Sequence, residues 1–263
     1  MVVAATCWAV VPAAGSGTRF RADADELPKQ YQLLAGKPVL VHTLKQLLAI
    51  ERLRGITVAL SAEDNYYASM VKATLSSDEQ QHLSAVVGGA SRAESVLHGL
   101  RALGDKAQAD DWVLVHDAAR PLLQLSDVNR LIDCCGDTDC GGVLVSPIHD
   151  TVKESVAEQS PSSPFVEAKQ THSRERMWLA QTPQMFRYAP LLAALESEVM
   201  TASAAGRTIV NEAITDEAMA MERAGHSVLL VPGSNRNMKI TTREDLALAQ
   251  YYLQCDASLR DGV

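Results

Sequence analysis

Short apolar runs of strand length recur along the chain, and between them apolar residues return every three to four positions, the period of a helix with one buried face. The runs fall at 8–13, 56–60, 85–87, 112–116, 142–145 and 228–231. The helical stretches fall at 38–50, 65–75, 92–103, 126–134, 190–200, 216–224 and 242–254. In the first of them Val39, Leu40, Thr43, Leu44, Leu47 and Leu48 form one stripe, and Pro38 suits a first turn, where its missing amide hydrogen has no partner to lose. Thr242 followed by Asp245 reads as the cap of the last one. Strands alternating with helices in this way predict an α/β fold, with a mostly parallel sheet covered by helices on both faces.

The alternation breaks between Asp150 and Thr182. A turn-rich centre, Ser160-Pro161-Ser162-Ser163-Pro164, lies there between two polar flanks of extended character. This predicts a projecting hairpin, although a disordered surface insertion has the same composition. No repeat and no long linker divides the chain, so residues 1–263 are expected to form one domain that carries this arm at 150–182.

With 263 residues, 47% of them hydrophobic and 21% charged, the chain has the makeup of a folded globular protein and needs no disulfide to hold a core. Its 24 Lys and Arg against 32 Asp and Glu leave a net charge of -8, which argues against nucleic acid or an anionic membrane as a partner. The five cysteines, Cys7, Cys134, Cys135, Cys140 and Cys255, are odd in number and lack any CxxC spacing, a pattern of free thiols in a reducing compartment rather than of disulfides or zinc. Residues 2–14 are apolar, but no Lys or Arg precedes the run as in a signal peptide. No apolar run approaches the roughly 18 residues that suggest a spanning helix. A cytoplasmic protein is expected, with no membrane partner.

The first strand runs into Pro12-Ala13-Ala14-Gly15-Ser16-Gly17-Thr18-Arg19. Glycine allows unusual torsions and close approach, so the backbone amides of such a turn converge on an anion. The third glycine of a dinucleotide fingerprint would fall at Phe20, and the Lys-Ser/Thr pair of a P-loop is absent. A tight turn without a ligand is the plain alternative. Amide nests and helix ends offer an anion only about 0.3–2 kcal/mol, too little for a triphosphate, so such a site needs cations, and Arg19 and Lys29 can supply them. Asp117, in Val115-His116-Asp117-Ala118-Ala119-Arg120-Pro121, follows a strand at the end where α/β proteins bind ligands. It is placed to meet a ribose, a metal or a second substrate, or simply to pair with Arg120. His116 reads as packed or hydrogen bonded, because no second His or Cys stands at ligand spacing.

Ala13 to Arg19 together with Pro28-Lys29-Gln30-Tyr31 resemble the opening of sugar-phosphate nucleotidyltransferases, in particular the 2-C-methyl-D-erythritol 4-phosphate cytidylyltransferases of the non-mevalonate isoprenoid pathway. The resemblance continues through Gly88-Gly89-Ala90-Ser91-Arg92-Ala93-Glu94-Ser95, Asp150-Thr151-Val152-Lys153, Ser173-Arg174, Gln181-Thr182-Pro183-Gln184, Thr215-Asp216-Glu217 and Asn237-Met238-Lys239-Ile240-Thr241. It implies a Rossmann-like nucleotidyltransferase domain with CTP held by Pro12, Ala13, Ala14, Gly15, Ser16, Gly17, Thr18, Gly89, Ala90, Arg92, Ser95, Asp117 and Ala118. Catalysis would fall to Arg19, Lys29, Arg174 and Lys239. Asp117, Arg120, Thr151, Arg174, Thr182 and Thr215 would serve the polyol phosphate, with Thr151 and Arg174 reaching the neighbouring subunit's site in a homodimer joined through the arm. Mg2+ or another divalent cation is implied as cofactor, with Asp117 a candidate ligand. The implied reaction is attack of methylerythritol phosphate on CTP with release of pyrophosphate.

Two positions depart from the family's pattern. Arg236 precedes Asn237 where many relatives carry an acidic or neutral residue, and Ala90 lacks the carboxylate that some relatives place in the base and ribose pocket, so backbone contacts are expected there. The segment between Arg19 and Lys29 is also long. The nearest rival is the same chemistry on ribitol 5-phosphate. An NAD-dependent oxidoreductase is disfavoured by the missing third glycine, and a silent nucleotide-binding module by the pairing of Arg19 with Lys29. The length leaves no room for a second fused enzyme.

Overall fold

A computed structural model describes residues 7–15, 20, 26–138, 140–158, 163, 165–204 and 214–261, with backbone alone for 201–204 and 257–261. Strand β1 (Cys7–Pro12) shows how the core is divided: Cys7, Ala9 and Val11 join one apolar cluster and Val10 joins another. A strand covered on both faces reads as an unbroken apolar run, as this one does.

The short hairpin β2 (Leu33–Leu34) and β3 (Lys37–Pro38) leads into helix α1 (Val39–Leu48). Then follow β4 (Leu53–Leu60), α2 (Ser77–Gln81), β5 (Leu83–Val87), α3 (Arg92–Leu103), β6 (Trp112–Val115), α4 (Leu125–Thr138) and β7 (Gly141–Pro147). The second half contains β8 (Val152–Ser155), β9 (Ala168–His172), β10 (Trp178–Arg187), α5 (Tyr188–Ala204), α6 (Glu217–Arg223), β11 (Val228–Pro232) and α7 (Arg243–Asp261). Seven strands form one sheet in the order β11-β7-β10-β6-β1-β4-β5, parallel except for β10, which runs antiparallel to β6 and β7. Leu40, Leu44 and Leu47 of α1 with Leu131 and Ile132 of α4 cover one face, and Val96 and Leu100 of α3 with Leu191 and Leu195 of α5 cover the other. A third cluster joins Phe20, Leu34, Val39, Ala119, Leu122 and Ile240 to Ala249 of α7.

The predicted α/β class and mostly parallel sheet are found. Two expectations need correction. The helix at 65–75 is a π-helical turn, Tyr67–Val71, followed by a 3-10 turn, Lys72–Thr74. The Gln80 side-chain amide takes the carbonyls of Lys72 and Leu75, at 2.9 and 3.0 Å, which a continuing helix would have used. Residues 178–187, where the apolar pattern predicts no strand, form a ten-residue strand within the sheet. The break at 150–182 contains the hairpin β8–β9, a two-stranded sheet of its own; of the turn-rich centre at 160–164, all but Ser163 lies outside the described residues.

All five cysteines are free, and burial pushes the Cys7 and Cys135 thiols up to about 12, which makes both inert. Among the described residues no helix is long and apolar enough to cross a membrane.

Candidate active site

The carboxyl ends of β1 and β6 and the turn after β5 surround a cleft of about 350 Å3. One wall is the start of the glycine loop. Ala13 donates its amide to the Ala59 carbonyl at 2.7 Å, and the buried Gln30 side chain donates to the carbonyls of Ala13 and Gly15 at 2.9 and 3.2 Å. Gln30 thereby ties the loop to the short turn Lys29–Tyr31, which brings Lys29 to the cleft. Tyr31 is fully buried beneath that turn and donates its hydroxyl to Asp64.

The opposite wall is the turn from Gly88 to Arg92. Ser91 caps α3 by accepting from the Glu94 amide at 3.1 Å, and the Glu94 carboxylate accepts from Ser91 and Ala90 amides at 3.3 and 2.7 Å. This reciprocal cap satisfies donors that a helix start leaves open. The Ala90 amide is therefore turned to Glu94, and its carbonyl is what it can offer a base. The turn must be glycine: a Cβ on Gly89 would lie 2.2 Å from that of Glu94, and one on Gly88 would lie 2.8 Å from both Ala14 Cβ and Ser95 Oγ.

The floor is an ion-pair cluster. Asp117 Oδ1 receives Arg92 Nε at 3.0 Å, and its Oδ2 receives Lys239 Nζ at 2.9 Å and faces Arg120 Nε at 3.5 Å. Arg92 reaches back to the fully buried Glu217 through both guanidinium ends, at 2.6 and 3.0 Å. Burial works to raise the Asp117 carboxyl, but Arg92, Lys239 and Arg120 outweigh it and hold that group well below the usual carboxylate range. Burial opposes the charge on Arg92 too, yet Glu217 and Asp117 raise it above the ordinary guanidinium value. With three cations against two carboxylates, the floor turns one excess positive charge toward the cleft.

Behind Asp117, a chain of hydrogen bonds fixes the backbone. His116 Nε2 meets the Arg120 carbonyl at 3.1 Å, which assigns the proton to Nε2 and leaves Nδ1 to accept from Thr182 Oγ1 at 3.0 Å. Thr182 Oγ1 in turn accepts the Asp117 amide at 3.0 Å. Burial lowers His116 to about 4, so its ring is neutral. Asn237 completes this layer, donating to Gln181 Oε1 and the Thr182 carbonyl at 3.1 and 2.7 Å.

Of the residues singled out in the sequence, Pro12, Ala13, Ala14, Gly15, Lys29, Gly89, Ala90, Arg92, Ser95, Asp117, Ala118 and Lys239 line the cleft together. Ser16, Gly17, Thr18 and Arg19 lie outside the described residues. Arg120 and Thr182 sit behind it, engaged as above. Thr151, Arg174 and Thr215 are exposed and do not line it. The sequence reading gave no role to Glu217 or Gln30. Both stand inside the quoted motifs, but an acidic residue opening a helix and a glutamine in a loop carry no local sign of the partner each finds across the fold.

A resident metal on Asp117 does not fit this geometry, since an ion would have to displace cations from both oxygens. Among the described residues no cluster of three or more His, Cys, Asp or Glu side chains is arranged to hold one.

Comparison with known proteins gives one answer. Residues 7–255 match the family model of 2-C-methyl-D-erythritol 4-phosphate cytidylyltransferase. The enzyme of that name from Pseudomonas aeruginosa is 46% identical over 244 residues, covering 92% of this chain and 94% of that one. A bifunctional IspD/IspF enzyme of Albidiferax ferrireducens is 43% identical over 254 residues, which are 96% of this chain and 54% of that protein, so the chain spans about half of that relative. The crystal structure of the Francisella tularensis 2-C-methyl-D-erythritol 4-phosphate cytidylyltransferase superposes with a TM-score of 0.72 at 30% identity, over 94% of this chain and 99% of that one.

Proposed function

The chain belongs to the 2-C-methyl-D-erythritol 4-phosphate cytidylyltransferase family, and on that premise we propose that its cleft joins CTP to methylerythritol 4-phosphate, giving 4-diphosphocytidyl-2-C-methyl-D-erythritol and pyrophosphate. One observation carries the reading to this site: Asp117 gathers Arg92 and Lys239 at the floor of a cleft whose rim holds Lys29 and whose walls are two glycine turns. That arrangement suits phosphate charge, and among the described residues lining the cleft none is an activated nucleophile.

In the proposed step a phosphate oxygen of methylerythritol phosphate forms a bond to the α-phosphorus of CTP. The bond from that phosphorus to the bridging oxygen breaks, and its electron pair leaves with pyrophosphate. The nucleophile is already anionic at neutral pH, so bringing two polyanions together and neutralising the transition state matter more than a general base. Lys29 and Arg19 would meet the α-phosphate. Lys239, aimed by Asp117, would meet the incoming phosphate. The turn Gly89–Arg92 would receive the base. Mg2+ would arrive as part of the nucleotide substrate and would offset part of the triphosphate charge.

Thr151 and Arg174 flank the hairpin β8–β9, outside the cleft of their own chain. We assign them to the polyol phosphate in a partner's cleft, which makes the working unit a homodimer, and we assign the protein to a reducing cytoplasm because its five thiols are free. The test is incubation with CTP and Mg2+ plus either methylerythritol 4-phosphate or ribitol 5-phosphate, with products identified by mass. A cytidine diphosphate adduct of the first polyol is expected; an adduct of ribitol alone would contradict the assignment.

A further inference from the structure

Arg236 directly precedes the Asn237-Met238-Lys239 segment, and the reaction above gives it no role. It does not line the cleft. Its guanidinium lies over the Tyr252 ring, 4.9 Å from the centroid, and Nη2 donates to Asp256 Oδ2 at 2.7 Å and to the Tyr252 carbonyl at 3.3 Å. All three contacts are to α7, at its middle and beyond. At the near end of the same helix, Asp245 Oδ2 accepts the amides of Thr241 and Thr242 at 2.8 and 2.9 Å, and Arg243 pairs with Glu26. Lys239 thus sits between two attachments to one helix, three residues after Arg236 and two before Thr241.

We propose that Arg236 is a positioning residue for Lys239, pinning the loop between β11 and α7 so that Lys239 reaches the cleft at Asp117. The residue acts through Lys239 and touches no reacting atom. Other bonds also hold this loop: Arg120 donates to the Asn237 carbonyl at 2.7 Å, and the Ile240 amide donates to Ala119 at 2.8 Å. The Arg236 pair is partly exposed, with about a third of each side chain open to solvent. A half-exposed ion pair and a ring contact each contribute a factor of a few, so the expected effect is about three- to tenfold rather than abolition.

The inference rests on the role given to Lys239, and a double-mutant cycle separates the two. Turnover is measured for Arg236→Ala, Lys239→Ala, the double variant, and the exchanged pair Arg236→Asp with Asp256→Arg. Arg236→Ala is expected to lower kcat about three- to tenfold with KM for CTP within about twofold, and to cost nothing further in the Lys239→Ala background. The exchanged pair should recover most of the loss. Asp256→Asn breaks the same pair at a partly exposed position and should give the same partial loss if Arg236→Ala folds poorly. Wild-type turnover in both Arg236→Ala and Asp256→Asn, or an equal fold-loss in both backgrounds of the cycle, overturns the inference alone. Wild-type turnover in Lys239→Ala overturns the reading of Lys239 and the inference with it.

Discussion

Asp117 organises the cleft by what it holds rather than by what it could donate. Its two oxygens draw in Arg92, Lys239 and Arg120, and its amide is fixed through Thr182 and the neutral ring of His116. This last link has a pH signature. Burial depresses His116 to about 4 from an ordinary 6.5, so the unfolded chain takes up a proton over that range while the native ring does not. Stability from this residue is therefore complete above pH 6.5 and falls as pH drops toward 4, by about 3 kcal/mol in all. Asp117, held low by its cations after burial is overcome, adds a further loss below its ordinary pKa. Denaturant midpoints followed from pH 7 to 4 should fall more steeply in the native protein than in His116→Gln; parallel curves would show that the ring does not carry this dependence.

At the scale of elements, α3 shows how closely function and packing share a segment. Its cap shapes the turn Gly88–Arg92, and two turns further along Gly99 lies so near β1 that a Cβ there would stand 2.4 Å from Val10 Cγ1. Val10 is fully buried and β-branched, so it has little room to yield. Gly99→Ala should cost about 1–3 kcal/mol in chemical denaturation, and an unchanged midpoint would contradict this packing. Apart from the stretch at 65–75 and the short α2, the helices and the parallel strands of the large sheet were legible because burial dictated their periodicity. Strand β10 was not, because Gln181, Thr182 and Gln184 are polar residues buried in it. They are there to bond the Asn237 side chain, the Asp117 amide and the start of α6, where Gln184 accepts from Ala218 at 2.7 Å and donates to Asp216 at 2.9 Å. A segment whose inner face is chosen for hydrogen bonding loses the apolar pattern by which strands are read. For the same reason the motifs located the cleft but left Glu217 and Gln30 without roles, since their partners are distant in sequence and local patterns carry no such pairing.

For the molecule as a whole, the net charge of -8 and the cationic floor are compatible because the charge is local: overall acidity disfavours extended polyanions, while one cationic cluster at the cleft suits the small phosphorylated substrates proposed above. The arm gives the second large-scale feature. Val156, Phe165, Val166, Met177, Trp178 and Leu179 are all exposed along the hairpin and the opening of β10, with Phe165 open over 76% of its surface. A group of exposed apolar side chains of this kind suits an interface. If the arm completes a partner's cleft, Arg174→Ala should raise KM for methylerythritol phosphate at least about tenfold while CTP binding stays within about twofold, as expected for a lost charge-assisted phosphate contact. A change confined to CTP would remove the arm from that role.

If the cations at this cleft stabilise transfer at the α-phosphate of CTP, pyrophosphate release reports their effect. With CTP and Mg2+, the native protein should release pyrophosphate only when methylerythritol 4-phosphate is added. Lys29→Ala should keep its circular dichroism spectrum and slow release by about a hundred- to a thousandfold, the scale of losing one preorganised charge contact in a transition state. Release at near-native rate from Lys29→Ala, or release that ignores the polyol phosphate, would contradict the account.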